Sequence, residues 1–143
     1  MDLFQNKAVY RTEIVNADGL PGQVYVDEPH SLCLPVSSPL DSQATGTNPE
    51  QLIGMALATC LNATIQAEED RRGIPHQSQV RVVVELSKGS QGFEFFVDGQ
   101  IMLPHLEQNQ AEEFLKIAER RCPVSKLLAG SPNVKIRLVS PSN

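Results

Sequence analysis

The spacing of hydrophobic and polar residues changes several times along the chain, and each change marks an element. Short runs of β-branched and apolar residues, or strict alternation of apolar with polar residues, predict strands. Clusters of Gly, Pro, Asn, Asp and Ser separate these runs and predict turns. The predicted strands cover residues 8–15, 23–26, 31–36, 80–86, 93–97, 101–103 and 134–138.

Residues 80–103 are predicted to form a hairpin that turns at residues 88–92. The pair Asp98-Gly99 interrupts its return strand, and we interpret it as a bulge or kink. Residues 37–47 are rich in Ser, Pro, Asp, Gly and Thr and predict a loop before the first helix.

One long helix is predicted from residue 49 to about residue 71. Asn48 can cap it, Pro49 suits the first helical position, and Glu50 favours the positive end of the helix dipole. Residues 52–65 are apolar on every side, which is typical of a buried helix. In so short a chain the cover must come from sheets or from another subunit, whereas the charged tail at residues 66–72 should enter water.

Two further helices are predicted near the carboxyl end. Residues 109–121 are amphipathic, with Ala111, Phe114, Leu115 and Ile117 on the inward face. The sequence Cys122-Pro123 breaks this helix, because the residue before a proline disfavours helical geometry. A short helix follows at residues 123–128. The order of strands, long helix, strands, helices and strand predicts an α+β fold in a single domain, residues 1–143.

Composition and charge exclude several classes of protein. The chain has 41% hydrophobic and 20% charged residues, which is typical of a globular protein. A net charge of -5, with 12 basic against 17 acidic residues, argues against nucleic-acid binding. No stretch reaches the roughly 18 apolar residues of a membrane span, and residues 1–8 lack the features of a signal segment. We therefore expect a cytoplasmic protein with reduced thiols.

The sequence contains little that indicates a metal site or a phosphate-binding site. The histidines His30, His76 and His105 are far apart, each beside a proline or loop residue, and no metal-binding motif occurs. We interpret them as solvated loop residues. A glycine-rich phosphate loop is also absent, so no metal and no bound cofactor are expected.

The three cysteines are the remaining candidates for chemistry. Cys60 lies in the apolar helix, where its alternative interpretation is a small buried core residue. Cys122 lies at the start of a short helix, where the dipole and the neighbouring Arg120 and Arg121 favour the reactive thiolate; its alternative is a loop cysteine without a role. Cys33, in a predicted strand, is expected in the core.

Three motifs lie around two of the cysteines: residues 46–52 read GTNPEQL, residues 56–60 read ALATC, and residues 122–126 read CPVSK. These motifs resemble those of the OsmC/Ohr family, the osmotically inducible protein C and organic hydroperoxide resistance proteins. The order and separation of these motifs, the chain length and the element order all match, so the resemblance covers nearly the whole chain.

The resemblance implies a fold of N-terminal antiparallel strands, a long buried central helix and a second antiparallel sheet with C-terminal helices, in an intertwined homodimer. It also implies a stress-response peroxidase that reduces organic hydroperoxides. By motif position Cys60 is the peroxidatic cysteine, Cys122 the resolving cysteine that forms a disulfide with it, and Glu50 the residue that helps organise the first thiolate. The implied partners are a hydroperoxide and an external dithiol, such as a lipoylated protein.

The position of Glu50 adds a geometric constraint. Ten helical residues separate it from Cys60, about 15 Å along the helix axis. A glutamate side chain cannot cross that gap, but an antiparallel helix of a second subunit could bring Glu50 of one chain near Cys60 of the other. We therefore predict composite sites across a dimer; the alternative is a first-turn acid that only interacts with the helix dipole.

One departure from the family pattern stands in the turn after the first strand. The family carries an arginine there, whereas residues 15–19 place Ala17 at that position. Arg11, Arg120 or Arg121 are the candidates to substitute for it. The departure indicates a divergent branch, and it keeps two alternatives open: a non-catalytic or redox-sensing dimeric binding protein, and a structural domain with incidental cysteines.

Overall fold

The computed structural model of the chain describes residues 8–140 and divides into two units, Met1–Asn48 and Pro49–Asn143. The expectation that residues 1–8 form no signal segment falls outside the described residues, except for residue 8. The expectation of a single domain stays a prediction. None of the described helices combines the length and the apolar character needed to cross a membrane.

The first unit contains an antiparallel sheet of three short strands. These are β1 (Ile14–Val15), β2 (Gly22–Val26) and β3 (Cys33–Val36), in that order across the sheet. The first strand is much shorter than the predicted 8–15: it pairs with β2 only from Ile14 opposite Val26 to Val15 opposite Tyr25, and one more backbone hydrogen bond follows, from Asp27 N–H to the Glu13 carbonyl.

The expectation that Cys33 lies in the core is wrong. Alternate residues of a strand point to opposite faces, and Cys33 shares the outward face with Pro35. Val36, on the other face, is buried, whereas the Cys33 thiol is exposed and free.

The second unit places one face of a long helix against a sheet. Its elements are α1 (Pro49–Arg72), β4 (Gln79–Gly89), β5 (Gly92–Met102), α2 (Gln108–Arg121), α3 (Pro123–Leu128) and β6 (Val134–Leu138). Leu57, Leu61 and Ile65 recur every four residues on α1 and are almost fully buried. The inward positions predicted for α2 are confirmed at Ala111 and Phe114, which join the same core. The α+β class is thereby confirmed.

The second sheet is mixed rather than antiparallel as predicted. Its order is β4-β5-β6, and β4 pairs with β5 in an antiparallel hairpin. However, β6 runs parallel to β5, with Gly99 opposite Ile136. The physical reason is the connection, because α2 and α3 carry the chain back to the end from which β5 started.

The bulge predicted at Asp98-Gly99 is also wrong, since both residues keep a regular register with Val83 and Val82. Gly99 instead lies close to side chains of neighbouring elements. A Cβ atom on Gly99 would lie 3.6 Å from Leu61 Cδ1 and 3.7 Å from Leu57 Cδ2. Ile136 Cγ1 would lie nearer still, at 3.3 Å, so the glycine leaves room for side chains of both α1 and β6.

The long helix is buried on one side only within a single chain. Met55 is 57% exposed, and Ala56, Thr59 and Ala63 are exposed with it. The expectation of a helix covered on every side is therefore not met by one chain, because its sheet can cover only one face of the helix.

Replacement of Leu61 by alanine tests this packing. Leu61 of α1 is fully buried against the sheet. Leu61→Ala should therefore lower the free energy of unfolding by about 3 kcal/mol, through lost burial and a residual cavity. Leu127→Ala, at a position 82% exposed, is the control and should change it by less than about 0.5 kcal/mol. Urea denaturation followed by circular dichroism measures both; equal losses would contradict the packing described.

Candidate functional site

The two cysteines of the motifs come from different elements of the second unit. Cys60 lies in the middle of α1, and Cys122 lies at the junction of α2 and α3. Because Pro123 disfavours helical geometry in the preceding residue, Cys122 adopts an extended conformation with φ -68° and ψ 116°. Its N–H still donates to the Ala118 carbonyl at 2.9 Å, so Cys122 ends one helix and begins the next.

The thiols of Cys60 and Cys122 are neighbours. Cys60 is close enough to help raise the pKa of the Cys122 thiol, and both cysteines are free. Cys122 is 0% exposed and belongs to the core, whereas Cys60 is half-buried and packs against that core. Two residues 62 positions apart in the sequence thus place their sulfur atoms together, with only one of them partly accessible.

Burial has the largest effect on the pKa of the Cys122 thiol. Loss of water raises the pKa of the Cys122 thiol, the Ser125 N–H at 3.4 Å from Sγ opposes that effect, and the neighbouring Cys60 adds to it. The expectation that the helix dipole and the adjacent arginines hold Cys122 as a thiolate is therefore wrong. Burial outweighs the dipole, and Arg121 is directed to Glu68, with 3.5 Å between its Nη1 and Oε2.

Glu50 does not meet Cys60 within one chain. The helix α1 is continuous from Pro49 to Arg72, so these two residues stand about 15 Å apart along its axis. Glu50 instead lines an open groove of about 510 Å³ between the uncovered face of α1 and strand β4. The other lining residues are Gln51, Gly54, Met55, Ala58, Val82 and Val84.

Arg11 and Ala17 lie in the first unit. Arg11 precedes β1 and forms an ion pair with Glu13, and both side chains are largely exposed. Ala17 is exposed in the turn between β1 and β2, where the Asn16 Oδ1 atom accepts a hydrogen bond from the Gly19 N–H at 2.7 Å. The role suggested for Arg11 stays a prediction.

A buried polar network at the far end of α1 was missed by the sequence analysis. Glu69 is 0% exposed and accepts hydrogen bonds at both carboxylate oxygens. His76 Nδ1 lies 2.7 Å from Oε1, and His105 Nε2 lies 2.7 Å from Oε2. The Ser78 hydroxyl, 3.0 Å from Oε1, also lies 2.7 Å from Asn62 Oδ1. Since an ionised carboxylate only accepts, both histidines donate to it.

The interpretation of all three histidines as solvated loop residues is wrong for His105, whereas His76 is exposed in a loop. The side chain of His105 is only 8% exposed, that of His76 is 39% exposed, and both are tied to Glu69. The His105 Nδ1 atom is buried without a hydrogen-bond partner among the described residues. A buried carboxylate requires such donors, which only the fold brings together.

The charged tail of α1 is not wholly in water as expected. Glu68 is 2% exposed and is surrounded by Arg71, Arg72 and Arg121. The hydrogen bond from Arg71 holds the pKa of Glu68 down at about 2, against the opposing effect of burial. The helical period could have indicated this burial, because residues 68 and 69 continue the inward stripe of Leu57, Leu61 and Ile65.

Metal binding has no candidate in the described part of the chain. Within residues 8–140, no three His, Cys, Asp or Glu side chains are arranged to hold a metal ion. The distances around Glu69 are hydrogen-bond distances, and its two histidines bind different oxygen atoms.

Comparison with known proteins gives a consistent result. Residues 41–137 match the family described as OsmC-like protein. An organic hydroperoxide resistance protein-like protein of Staphylococcus aureus is 29% identical over 133 residues, which cover 90% of this chain and 94% of that protein.

Solved structures agree with the sequence match. A candidate redox protein from Lactobacillus casei is 38% identical, with a TM-score of 0.90 over 100% of this chain and 99% of that chain. The organic hydroperoxide resistance protein OhrB of Bacillus subtilis is 25% identical, with a TM-score of 0.79 over 94% of this chain and 100% of that chain.

Replacement of Glu69 by glutamine tests the buried network. Burial alone would raise the pKa of Glu69, but the donors His76, Gln77 N–H, Ser78 and His105 together lower it. The ionised carboxylate is thus favoured in the folded state, and Glu69→Gln should lower the free energy of unfolding at pH 7 by about 3 kcal/mol. Asp70→Asn, at the exposed next position of the same helix, should change it little.

The sign of the pH dependence follows from the lowered pKa. The contribution of Glu69 to stability is present above its ordinary pKa of 4.5 and is lost as pH falls through the lower folded value. Urea unfolding between pH 7 and pH 3 should therefore show a weaker loss of stability on acidification for Glu69→Gln than for the parent. Parallel curves would contradict the assignment.

Proposed function

Because the chain belongs to the OsmC-like protein family, we propose that it is a thiol-dependent peroxidase that reduces organic hydroperoxides to alcohols. The observation that carries the proposal is the proximity of two free thiols, of which Cys60 is half-buried and Cys122 fully buried. The names of the relatives in Staphylococcus aureus and Bacillus subtilis support the same substrate class.

The first step oxidises Cys60. Its thiolate attacks the outer oxygen of the hydroperoxide, an S–O bond forms and the O–O bond breaks. The alkoxide leaves and takes a proton from solvent to become the alcohol, while Cys60 becomes a sulfenic acid. Its partial exposure supports this role, because a peroxide must reach the sulfur and Cys122 offers no such access.

The second step joins the two sulfurs. Cys122 attacks the Cys60 sulfenic acid, an S–S bond forms, and the S–O bond breaks with loss of water. Proximity of the two thiols in the reduced protein supports this step, because a disulfide can form only between neighbouring cysteines. An external dithiol, of lipoyl type in our proposal, then reduces the disulfide, and no metal or bound cofactor takes part. The need for reduced thiols fits a cytoplasmic protein.

The surroundings of Cys60 support a preference for organic hydroperoxides. Cys60 packs against the apolar core that includes Leu57 and Leu61. An apolar surface binds the hydrocarbon part of a lipid-type hydroperoxide and gives hydrogen peroxide nothing to bind.

A homodimer would cover the open face of α1. That face exposes Met55 beside the small residues Gly54 and Ala58, and with β4 it forms the groove that Glu50 lines. An antiparallel α1 of a second copy fits such a groove, because small residues allow close approach of two helices.

The proposed pairing of Glu50 with Cys60 of the other chain fixes the register of the two α1 helices in such a dimer. If Glu50 of one chain lies opposite Cys60 of the other in an antiparallel pair, residue 55 lies midway and meets its own copy. Met55 is the large apolar residue exposed at that position, 57% exposed in one chain. We therefore propose composite sites in which Glu50 of the partner helps to organise the Cys60 thiolate.

Titration of thiols tests the peroxidase. One equivalent of cumene hydroperoxide should remove two of the three thiols of each chain, and dihydrolipoamide should restore them. Peptide mapping should place the disulfide between Cys60 and Cys122. Cys60→Ser should stop peroxide consumption, whereas Cys33→Ser, a matched change at an exposed thiol, should keep the parent rate.

The outcomes separate the alternatives. Peroxide consumption at the parent rate by Cys60→Ser would contradict the proposed function. Stoichiometric oxidation of both thiols without repeated turnover would favour the redox sensor over the enzyme. Thiols that barely react would favour a structural domain.

Mixing two inactive variants tests the composite site. Glu50→Gln and Cys60→Ser should each lose most activity, but equal amounts exchanged to equilibrium should recover about a quarter of the parent rate, because half of the dimers carry one complete site of two. Adding Met55→Glu to both variants should prevent dimers and hence the recovery. Peroxide consumption and sedimentation measure the two effects; no recovery from mixed dimers would show that Glu50 does not act across the interface.

A further inference from the structure

We propose that Arg71 and Arg121 form a carboxylate-binding site, which holds the anionic end of an acyl hydroperoxide while its peroxide group reaches Cys60. The inference rests on the proposed peroxidase function and narrows its substrate class to hydroperoxides whose hydrocarbon chain ends in a carboxylate. The two arginines are binding residues in this proposal, because they contact the substrate away from the reacting sulfur.

Guanidinium groups from two helices converge on one buried carboxylate. Glu68 is 2% exposed, and Arg71 of α1 donates to both of its oxygen atoms, with 3.1 Å between Nε and Oε2. Arg121 of α2 reaches the same Oε2 atom with its Nη1 at 3.5 Å. Arg72 donates from Nε to Oε1 at 2.8 Å. Glu68 thus holds three guanidinium groups together at the carboxyl ends of α1 and α2.

The arginine cluster carries more positive charge than the carboxylates bound to it can balance. The hydrogen bond from Arg71 keeps the pKa of Glu68 at about 2, so this carboxylate is fully ionised at neutral pH. Arg72 is engaged a second time, by Glu113 Oε1 at 2.9 Å from its Nη2. Three guanidinium groups therefore face two carboxylates, and one positive charge is left in excess.

The excess charge lies on Arg71 and Arg121, whose side chains are 63% and 56% exposed. Among the described residues, Arg71 uses Nε and Nη2 on Glu68, and Arg121 has only its 3.5 Å contact with Glu68. Both guanidinium groups thus present N–H donors to solvent. Arginine binds carboxylates through paired N–H donors, so a second carboxylate fits beside Glu68 between these two side chains.

The other acidic residues nearby are directed elsewhere. Two helical residues correspond to a rotation of about 200°. Asp70 follows Glu68 by two residues on α1 and is exposed on the other side of that helix. Glu119 precedes Arg121 by two residues on α2 and is likewise exposed on the other side. Glu69 is buried and bound by two histidines.

The distance from the reactive thiol to the arginine cluster suits an acyl chain. Eight helical residues separate Cys60 from Glu68, about 12 Å along α1. An extended hydrocarbon chain advances about 1.25 Å per carbon–carbon bond, so about nine or ten bonds span this distance. Helical spacing of three or four residues places one row of residues on the same side of α1: Cys60, Thr64, Ala67 and Arg71.

The row between the thiol and the arginines adds no competing charge. Ala67 is exposed, and the Thr64 hydroxyl is satisfied by donating to the Cys60 carbonyl at 2.8 Å. The proposed dimer register also leaves this row clear of the partner helix. If Glu50 lies opposite Cys60, then Pro49, the first helical residue, lies opposite residue 61, and residues 62–72 extend beyond the end of the partner's α1.

Protection of Cys60 from alkylation tests the site without peroxide. In a Cys33→Ser background, iodoacetamide should react with the half-buried Cys60 before the buried Cys122. Decanoate, whose chain of about nine carbon–carbon bonds spans the distance, should slow this reaction at a concentration about tenfold lower than decan-1-ol, which lacks the charge. Hexanoate, with a chain of roughly half that length, should give no protection at the concentration at which decanoate protects.

Two arginine variants locate the effect. Arg121→Gln leaves Arg71 and Arg72 on Glu68, so the fold should be kept, but decanoate should then protect no better than decan-1-ol. Arg120→Gln, a matched change at the neighbouring exposed arginine, should retain the tenfold difference. Added salt should weaken protection by decanoate and leave that by decan-1-ol unchanged. Equal protection by the two compounds in the parent, or an undiminished difference in Arg121→Gln, would overturn the inference.

Steady-state kinetics separates this site from the proposed function. For the 9-hydroperoxide of linoleic acid, KM should be about tenfold lower than for its methyl ester. Arg121→Gln should raise the KM of the acid to that of the ester and leave kcat unchanged for both. Protection by decanoate without turnover of any hydroperoxide would contradict the peroxidase and support the site. Turnover of acid and ester with equal KM in the parent would contradict the site alone.

Discussion

The arrangement of the second unit depends on how closely α1 can approach the sheet beneath it. At Gly99 the strand β5 has no side chain, and Leu57 and Leu61 of the helix fill that space. A Cβ atom there would make ordinary van der Waals contact with both leucines, so only a side chain larger than alanine would have to displace them. Cys122 is placed separately, by the break between α2 and α3 that Pro123 imposes. The proximity of the two thiols therefore depends on one helix–sheet packing and one helix break.

Burial then gives two chemically identical side chains different properties. Cys122 lies in the core and holds its proton, because an apolar environment disfavours the thiolate. Cys60 lies at the edge of the same core, where a substrate can reach it. In the proposed reaction this division assigns the attack on peroxide to Cys60 and the later formation of the disulfide to Cys122.

The two ends of α1 serve different purposes. At its carboxyl end the buried Glu69 is hydrogen-bonded to the loop residues His76 and His105. The preceding residue, Glu68, forms ion pairs with three arginines. These interactions anchor the helix in the chain that it belongs to. The amino-terminal half leaves Met55 and the groove beside Glu50 uncovered, which is where the proposed second subunit would pack. In the proposed dimer, the contacts within one chain and those between chains would thus lie at opposite ends of α1.

The sequence determined the α+β class, the bounds of α1 and α3 to within a residue or so, and the two cysteine motifs, because periodicity, capping residues and prolines act locally. It did not determine the parallel pairing of β6, the exposure of Cys33, or the purpose of Gly99, since each depends on which element lies alongside. The buried carboxylate of Glu69 was missed for the same reason: its donors come from positions 76, 78 and 105. Only the tertiary structure decided the direction in which the pKa of the Cys122 thiol shifts, because local charges favoured a thiolate and burial in the core raises the pKa instead.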